Sequence, residues 1–445
     1  MAAVPAPERG LTMPGDTSWF MRDRFGMFIH WGLYALPARG EWVRTTEGLS
    51  DVDYQRYFDR FDPDLYDPAQ WAANARAAGV RYVVITAKHH DGFCLWDSAQ
   101  TDFKSTNTPC REDLLRSFVD AFRAEGLRVG FYYSLLDWHH PDFPVDAYHP
   151  LGGGVAKRMI EGMGEEFSFE TLAALPEDIR KRNEDRDIRV YAAYVRAQVR
   201  ELLTGYGRID VMWFDFSYPG AGGLPGKGKD DWESARLLEL TRELAPHVIV
   251  NDRLDLPADH ADVHTPEQVV PKEWVRVDGT PVVWEACHTF SGSWGYHRDE
   301  ASWKSPQQLV RLLVETVACG GNLLMNVGPT GRGTFDRRAL DALACYGDWL
   351  RLHGRAIYDC TASELTPPAD CRYTQRGDRL YLHVFAWPCG ELSLGEAAGR
   401  VAYAQLLDDA SEVPLVDSGR ALKLPVRRPD VLVPVVELFL RTDAP

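Results

Sequence analysis

The chain contains no run of about eighteen apolar residues, the minimum for a bilayer-spanning helix. Behind Met1, the residues Pro5, Pro7 and Glu8 break the stretch where a secretory leader needs an apolar core. Cytoplasmic residence is therefore the expectation, with secretion if a leader has been removed, and no membrane partner is expected. The eight cysteines form no Cys-x-x-Cys pair, and several sit inside apolar runs, so buried free thiols are expected instead of a disulfide framework. No Gly-x-Gly-x-x-Gly follows the first strand-like segment, which removes the main support for a dinucleotide fold. No His-x-His occurs beside the adjacent pair His89 and His90, whose side chains would face opposite ways in a regular strand; neither a metal nor a cofactor is expected. Positive charge is also in short supply. With 49 Lys and Arg against 65 Asp and Glu, the formal charge is -16, which argues against nucleic acid or an anionic surface and fits a neutral or cationic small substrate.

Aromatic residues are abundant. Fourteen Trp, eighteen Tyr and nineteen Phe suit the binding of amphipathic rings such as sugars, although a large core also consumes them. A chain of 445 residues exceeds one compact core and predicts about two domains. Near-continuous apolar strands are read at 24–34, 82–90, 129–134, 209–216, 248–253, 282–287 and 322–328. Amphipathic helices fall between them, as at Glu112 to Glu125, where Leu114, Leu115, Phe118, Val119 and Phe122 share one face. Alternation of this kind predicts an α/β fold, a (β/α)8-like TIM barrel that is possibly irregular, over 1–354. Beyond Gly354 the texture changes to short alternating segments set off by Pro and Gly, which predicts a C-terminal all-β sandwich over 355–445. The stretch from Pro141 to Asp185 reads as an insertion over the barrel mouth, helical in part around Phe169 to Leu175.

The organising segment is Ile209 to Phe216, an apolar strand stopped by Ser217, Tyr218, Pro219 and Gly220, with Asp215 at its C-terminal end. A carboxylate in that setting is a turn cap or a catalyst, at about even odds when taken alone. The other strands end alike: His30 and Trp31; His89, His90 and Asp91; Tyr132 and Tyr133; Asn251, Asp252 and Arg253; Trp284 and Glu285; Asn326. Each has a plain structural explanation singly, but barrel active sites lie at the C-terminal strand ends, and a shared rim of polar and aromatic residues points to one site. Carboxylate catalysis, with His and Arg as donors to hydroxyl groups, is the simplest chemistry these residue types support.

Six co-linear segments between Trp19 and Trp349 resemble the retaining α-L-fucosidases of glycoside hydrolase family 29. They are Phe25-Gly26-Met27-Phe28-Ile29-His30-Trp31-Gly32, Lys88-His89-His90-Asp91-Gly92-Phe93, Trp213-Phe214-Asp215, Asn251-Asp252-Arg253, Trp284-Glu285 with Ser293-Trp294-Gly295-Tyr296, and Gly321-Asn322-Leu323-Leu324-Met325-Asn326-Val327-Gly328-Pro329. The resemblance implies an exo-acting hydrolase that releases terminal α-L-fucosyl groups from oligosaccharides or glycoconjugates by double displacement. It implies Asp215 as nucleophile and sugar contacts from His30, Glu41, Trp42, His89, His90, Tyr132 or Tyr133, Trp213 and Arg253, with Trp294 near the sugar's methyl group. His264-Thr265-Pro266-Glu267-Gln268 resembles the family's bacterial acid/base segment, which makes Glu267 the first choice for the acid/base and Glu285 its rival. The competing readings are a glycosidase of the same fold with another sugar preference and a barrel that binds carbohydrate without catalysis.

Overall fold

The structure is a computed structural model and describes residues 15–146, 149–151, 177–218 and 226–441. Most of the 141–185 insertion, including the helical stretch read at 169–175, lies outside the described residues. Seven strands form one parallel sheet: β1 (Phe25–Ile29), β2 (Tyr82–Lys88), β3 (Arg128–Ser134), β4 (Val211–Asp215), β5 (Ile249–Val250), β6 (Glu285–Thr289) and β7 (Asn322–Val327). Their spatial order is β5-β4-β3-β2-β1-β7-β6. The connecting helices are α1 (Pro68–Ala77), α2 (Leu114–Ala124), α3 (Ile188–Gly205), α4 (Ser234–Leu244), α5 (Pro306–Ala318) and α6 (Arg337–His353). Asp67, Asp113 and Ser305 accept backbone N–H bonds at the starts of α1, α2 and α5, and the predicted stripe of α2 is buried throughout.

The curled sheet leaves a gap between β5 and β6, and an irregular stave, 262–268, fills it. Val263 bridges Asn251 on one side, while His264 bridges Trp284 and Glu267 bridges Cys287 on the other, all in parallel sense. Asp262 N–H donates to Val250 O at 2.9 Å, His264 N–H to Val283 O at 2.9 Å, and Gln268 N–H to Cys287 O at 3.0 Å. Counted with this stave the sheet closes on itself as a (β/α)8-like barrel with one non-standard member. Side chains enter both faces of the wall, as strand alternation requires. Phe28, Tyr82, Tyr132, Val211, Trp213 and Leu324 form an inner cluster, whereas Tyr133, Met212 and Phe214 join the outer core under the helices.

Strand β5 is short because its neighbours' side chains take over its ladder. The Asn251 amide accepts from Phe214 N–H at 3.0 Å and donates to Phe214 O at 2.9 Å, pairing with β4 as a backbone group would. One turn below, the Asp262 carboxylate accepts from Val250 N–H at 2.8 Å, Arg242 Nη2 at 2.6 Å and Gly15 N–H at 2.7 Å.

The sixth strand departs from expectation in register. The apolar run Val282–Trp284 precedes the strand, after a small hairpin of Arg276–Val277 with Thr280–Pro281, and pairing with β7 begins at Glu285 opposite Asn322. Glu285 and Trp284 therefore stand at the N-terminal end of the sheet, away from the rim to which the sequence reading assigned them.

Past α6 the chain builds two antiparallel sheets. One has the order β8-β9-β10-β15-β12, from Thr361–Ala362 (β8), Cys371–Arg376 (β9), Arg379–Val384 (β10), Val401–Leu406 (β12) and Val435–Leu440 (β15). The other has the order β11-β14-β13, from Glu391–Ser393 (β11), Leu415–Val416 (β13) and Ala421–Lys423 (β14). Leu380, Leu382, Val436 and Leu438 of the first pack with Leu394, Leu422 and Leu424 around the second. All eight cysteines are free thiols. Among the described residues no helix is long and apolar enough to cross a membrane.

Because Asp262 joins β5, the closing stave and Arg242, Asp262→Ala leaves buried donors unpaired and should destabilise the protein by about 3 kcal/mol. Chemical denaturation monitored by tryptophan fluorescence measures this, and stability within about 0.5 kcal/mol of the parent would show that the stave closes without it.

Candidate active site

The C-terminal ends of β1 to β4, the turn after β5 and the 262–268 stave surround a cavity of about 570 Å³. Of the residues singled out from the sequence, His30, Glu41, Trp42, His89, Tyr132, Trp213, Asp215, Arg253, Glu267 and Trp294 line it. His90, Tyr133 and Glu285 do not.

Asp215 ends β4 with both oxygens engaged. Tyr132 OH donates to Oδ2 at 2.8 Å and Arg253 Nη1 donates to Oδ1 at 2.9 Å. The same Arg253 nitrogen donates to Glu267 Oε2 at 2.9 Å. These two carboxylate oxygens are thus no farther apart than twice that bond, a limit that admits the roughly 5–5.5 Å separation of a nucleophile and an acid/base in retaining glycoside hydrolysis. The rest of the Arg253 fork is also fixed: Nε donates to Thr265 Oγ1 and Nη2 to Thr265 O, each at 3.1 Å, and the guanidinium lies 4.5 Å from the Trp213 ring centre. Burial alone would favour the neutral form of Arg253, but the Asp215 and Glu267 carboxylates outweigh it and raise its pKa.

Burial disfavours the protonated forms of the two cavity histidines, His30 and His89. It lowers His30 to about 3 and takes His89 well below the usual value, where protonation would also be opposed by the neighbouring His90 and His30 rings. Asn326 Nδ2 donates to Trp294 O at 2.6 Å, so its Oδ1, 2.7 Å from His30 Nδ1, must accept the imidazole proton. That fixes the tautomer, and Nε2 of His30 is left as an acceptor for a hydroxyl group. His89 stacks on Tyr132 with ring centres 5.3 Å apart. Glu41 is buried, which raises its pKa, and Gly295 N–H opposes the rise by donating to its carboxylate at 2.7 Å. Trp42, Phe28, Trp213, Trp294 and Phe216 supply apolar wall.

Three of the residues singled out from the sequence stand away from the cavity lining. His90 is fully buried with its ring stacked 4.0 Å from Trp138 and tilted 4.5 Å from Trp42, so it supports the wall behind Trp42. Tyr133 points outward and donates to Gln198 Oε1 of α3 at 2.8 Å, because alternation along β3 lets only Tyr132 face in. Glu285 sits inside the barrel beneath the cavity, where Tyr82 OH and, at 3.4 Å, Trp213 Nε1 donate to it. The wrong strand register accounts for that miss. It also hid Cys287, which lines the cavity with Sγ 3.9 Å from Arg253 Nη2. Phe216, Ser217, Tyr218, Asp252, Asp255 and Thr265 line the cavity as well. Each lies within a few positions of a residue already singled out, so sequence proximity to Asp215, Arg253 and Glu267 was the available signal. Among the described residues no three His, Cys, Asp or Glu side chains cluster as a metal site requires.

Paired carboxylates at this spacing, set among aromatic rings above a parallel barrel, place the chain in the class of retaining glycoside hydrolases. The family model described as alpha-L-fucosidase matches residues 12–355, and the chain belongs to that family. It is similar to alpha-L-fucosidase isoenzyme 1 from Paenibacillus thiaminolyticus, with 44% identity and a TM-score of 0.84 over 96% of this chain and 98% of the other. A Bacteroides thetaiotaomicron alpha-L-fucosidase, trapped as a covalent intermediate with 2-fluoro-fucosyl fluoride, superposes with a TM-score of 0.80 at 26% identity over 98% of this chain and all of its own. The human plasma alpha-L-fucosidase is 30% identical across 91% of this chain and 82% of its own length.

Burial raises Glu285 to about 7 against the donors Tyr82 and Trp213, so the folded protein holds a proton there that the unfolded chain releases near its ordinary value. Stability from this group is full below about pH 4.5, falls as pH rises through the interval up to about 7, and loses about 3 kcal/mol in all. Glu285→Gln removes that slope. Thermal melts of both proteins from pH 4.5 to 8.5 should show the variant gaining on the parent as pH rises; parallel curves would mean that Glu285 does not titrate in this range.

Proposed function

We propose that Asp215 and Glu267 carry the retaining hydrolysis of terminal α-L-fucosyl groups on fucosylated oligosaccharides or glycoconjugates, with Asp215 as nucleophile and Glu267 as acid/base. The observation that supports this most is the single Arg253 nitrogen bonded to both carboxylates, since it sets their spacing and turns them toward one cavity.

In the first step an Asp215 oxygen bonds to the anomeric carbon while Glu267 gives a proton to the departing glycosidic oxygen. The products are a free aglycone alcohol and a fucosyl ester on Asp215. In the second step Glu267 removes a proton from water, water's oxygen bonds to the anomeric carbon, and the ester bond breaks. Two inversions give net retention. Tyr132 and Arg253 keep the Asp215 carboxylate oriented, so attack begins from a fixed geometry and little reorganisation is needed. Glu267 has a side chain 41% exposed, which suits a group that must meet both the leaving oxygen and incoming water at the mouth.

Fucose is a neutral 6-deoxy sugar, and the wall answers both of its aspects. Neutral His30 accepts from a hydroxyl through Nε2, the Glu41 carboxylate accepts from others, and the rings of Phe28, Trp213 and Trp294 offer apolar contact for the methyl-bearing face. Against Glu285 as the acid/base stand its absence from the cavity lining and the engagement of both its oxygens by Tyr82 OH and Trp213 Nε1.

Asp215→Gly should lower turnover by about a thousandfold or more with the fold intact, and azide should restore part of it. For the acid, Glu267→Ala should lose far more rate on a fucosyl disaccharide than on an aryl fucoside with a good leaving group, whereas Glu285→Ala should not separate the two. Initial rates on both substrates decide the matter, and a selective loss in Glu285→Ala alone would transfer the role to Glu285.

A further inference from the structure

Glu267 has no regular strand under it. Its stave is attached to β6 at the acid by two backbone bonds, Cys287 N–H to Pro266 O at 3.2 Å and Gln268 N–H to Cys287 O at 3.0 Å. Beyond Gln268 the chain turns away, and Val269 is exposed. The turn is made at Gln268 itself, which adopts φ 54°, a left-handed conformation that disfavours a non-glycine residue. Glycine would hold the same backbone at less cost. Glutamine adds a side chain that glycine lacks, and that side chain is used: Nε2 donates to Thr289 Oγ1 at 3.0 Å. The direction of this bond is fixed by its neighbour, since the Thr289 hydroxyl gives its own proton to Ser291 O and has only lone pairs left for Gln268. Thr289 ends β6 and is buried, so it is a rigid anchor. Gln268 is exposed and is not among the residues that line the cavity; its direct neighbour Glu267 is.

Resting on the reading of Glu267 as acid/base, we propose that Gln268 is a positioning residue: its amide clasp to Thr289 fixes the point from which the Glu267 side chain reaches the glycosidic oxygen. The carboxylate itself is held in the free enzyme by Arg253 Nη1, a bond it must share with Asp215 and loosen when a leaving group arrives. At that moment the clasp at Gln268 and the paired backbone on either side are what keep the acid in place. Loss of the clasp should therefore matter only where proton donation limits the rate.

The test is a pair of substrates, a natural-type fucosyl disaccharide whose alcohol leaves poorly and an aryl fucoside whose phenolate leaves well. Gln268→Ala and Thr289→Val should each cut kcat on the disaccharide by roughly ten- to a hundredfold, the scale of a misplaced catalytic group, with KM little changed. Both should keep rates on the aryl fucoside within about threefold, which also reports that they fold. Thr289→Ser keeps the acceptor oxygen and should restore the disaccharide rate. Gln268→Glu presents two acceptors to a hydroxyl with no proton to spare, and should behave as Gln268→Ala does. If Gln268→Ala loses rate equally on both substrates, or loses nothing on the disaccharide, Gln268 does not position the acid. Glu267→Ala measured alongside separates the two layers. Should it show no dependence on leaving group, the assignment of the acid falls and takes this proposal with it; should it show that dependence while Gln268→Ala does not, only the role of Gln268 falls.

Discussion

The site depends on one partly buried cation. Arg253, with its side chain 21% exposed, is flanked by Asp215 at the end of β4, the closing stave and the Trp213 ring, where an unpaired guanidinium would be costly. Two carboxylates and the Thr265 carbonyl and hydroxyl satisfy it. Conversely, Asp215 and Glu267 can share a narrow cavity because one positive charge stands between them. Removing it would leave two like charges at a separation where each opposes the other's ionisation. Charge compensation and catalytic spacing are in this way the same structural fact, and a lysine, with a point charge and no planar fork, could not reproduce both.

The backbone around these carboxylates is strained in a matching way. Phe216 follows Asp215 with φ 73° and Gln268 follows Glu267 with φ 54°, both left-handed conformations that disfavour a non-glycine residue. Each turn ends a sheet segment immediately after its carboxylate, so the acid stands at the last paired position and the next side chain is redirected. Phe216 is thereby brought into the cavity wall, with its ring about 6 Å from those of Trp42, His89 and His90. The irregular stave is a further expression of the same demand. A regular strand between β5 and β6 would continue its alternation past Glu267, whereas the observed segment bridges one neighbour at Val263 and the other at His264 and Glu267.

Much of this was legible in the residues, and the failures have identifiable causes. Apolar runs located all seven strands, and the Asp215, His30 and Arg253 positions follow from strand ends alone. A run of apolar residues does not say where pairing starts, however. Val282–Trp284 is as apolar as a strand yet packs before the ladder begins, so Glu285 was assigned to the rim when it belongs at the opposite end. Tyr132 and Tyr133 could not be separated because a tyrosine suits either face of a barrel wall, with its ring in the core and its hydroxyl bonded at Asp215 on one side or at Gln198 on the other. The stave had no periodic signature at all, since Asp262, His264 and Glu267 are polar residues used for bridging and charge pairing. Only the resemblance of His264-Thr265-Pro266-Glu267-Gln268 to a family segment singled out Glu267, and the geometry places that residue against Arg253.

The central claim is that two carboxylates on one arginine are spaced for double displacement, and the stereochemistry of the product tests it most directly. Proton NMR of an α-L-fucoside during the first minutes of hydrolysis, before mutarotation, identifies the anomer released. Retention at this spacing requires α-L-fucose to appear first and β-L-fucose only as mutarotation proceeds. If β-L-fucose were released first, water and not Asp215 would be the attacking group, and the arrangement around Arg253 would need another explanation.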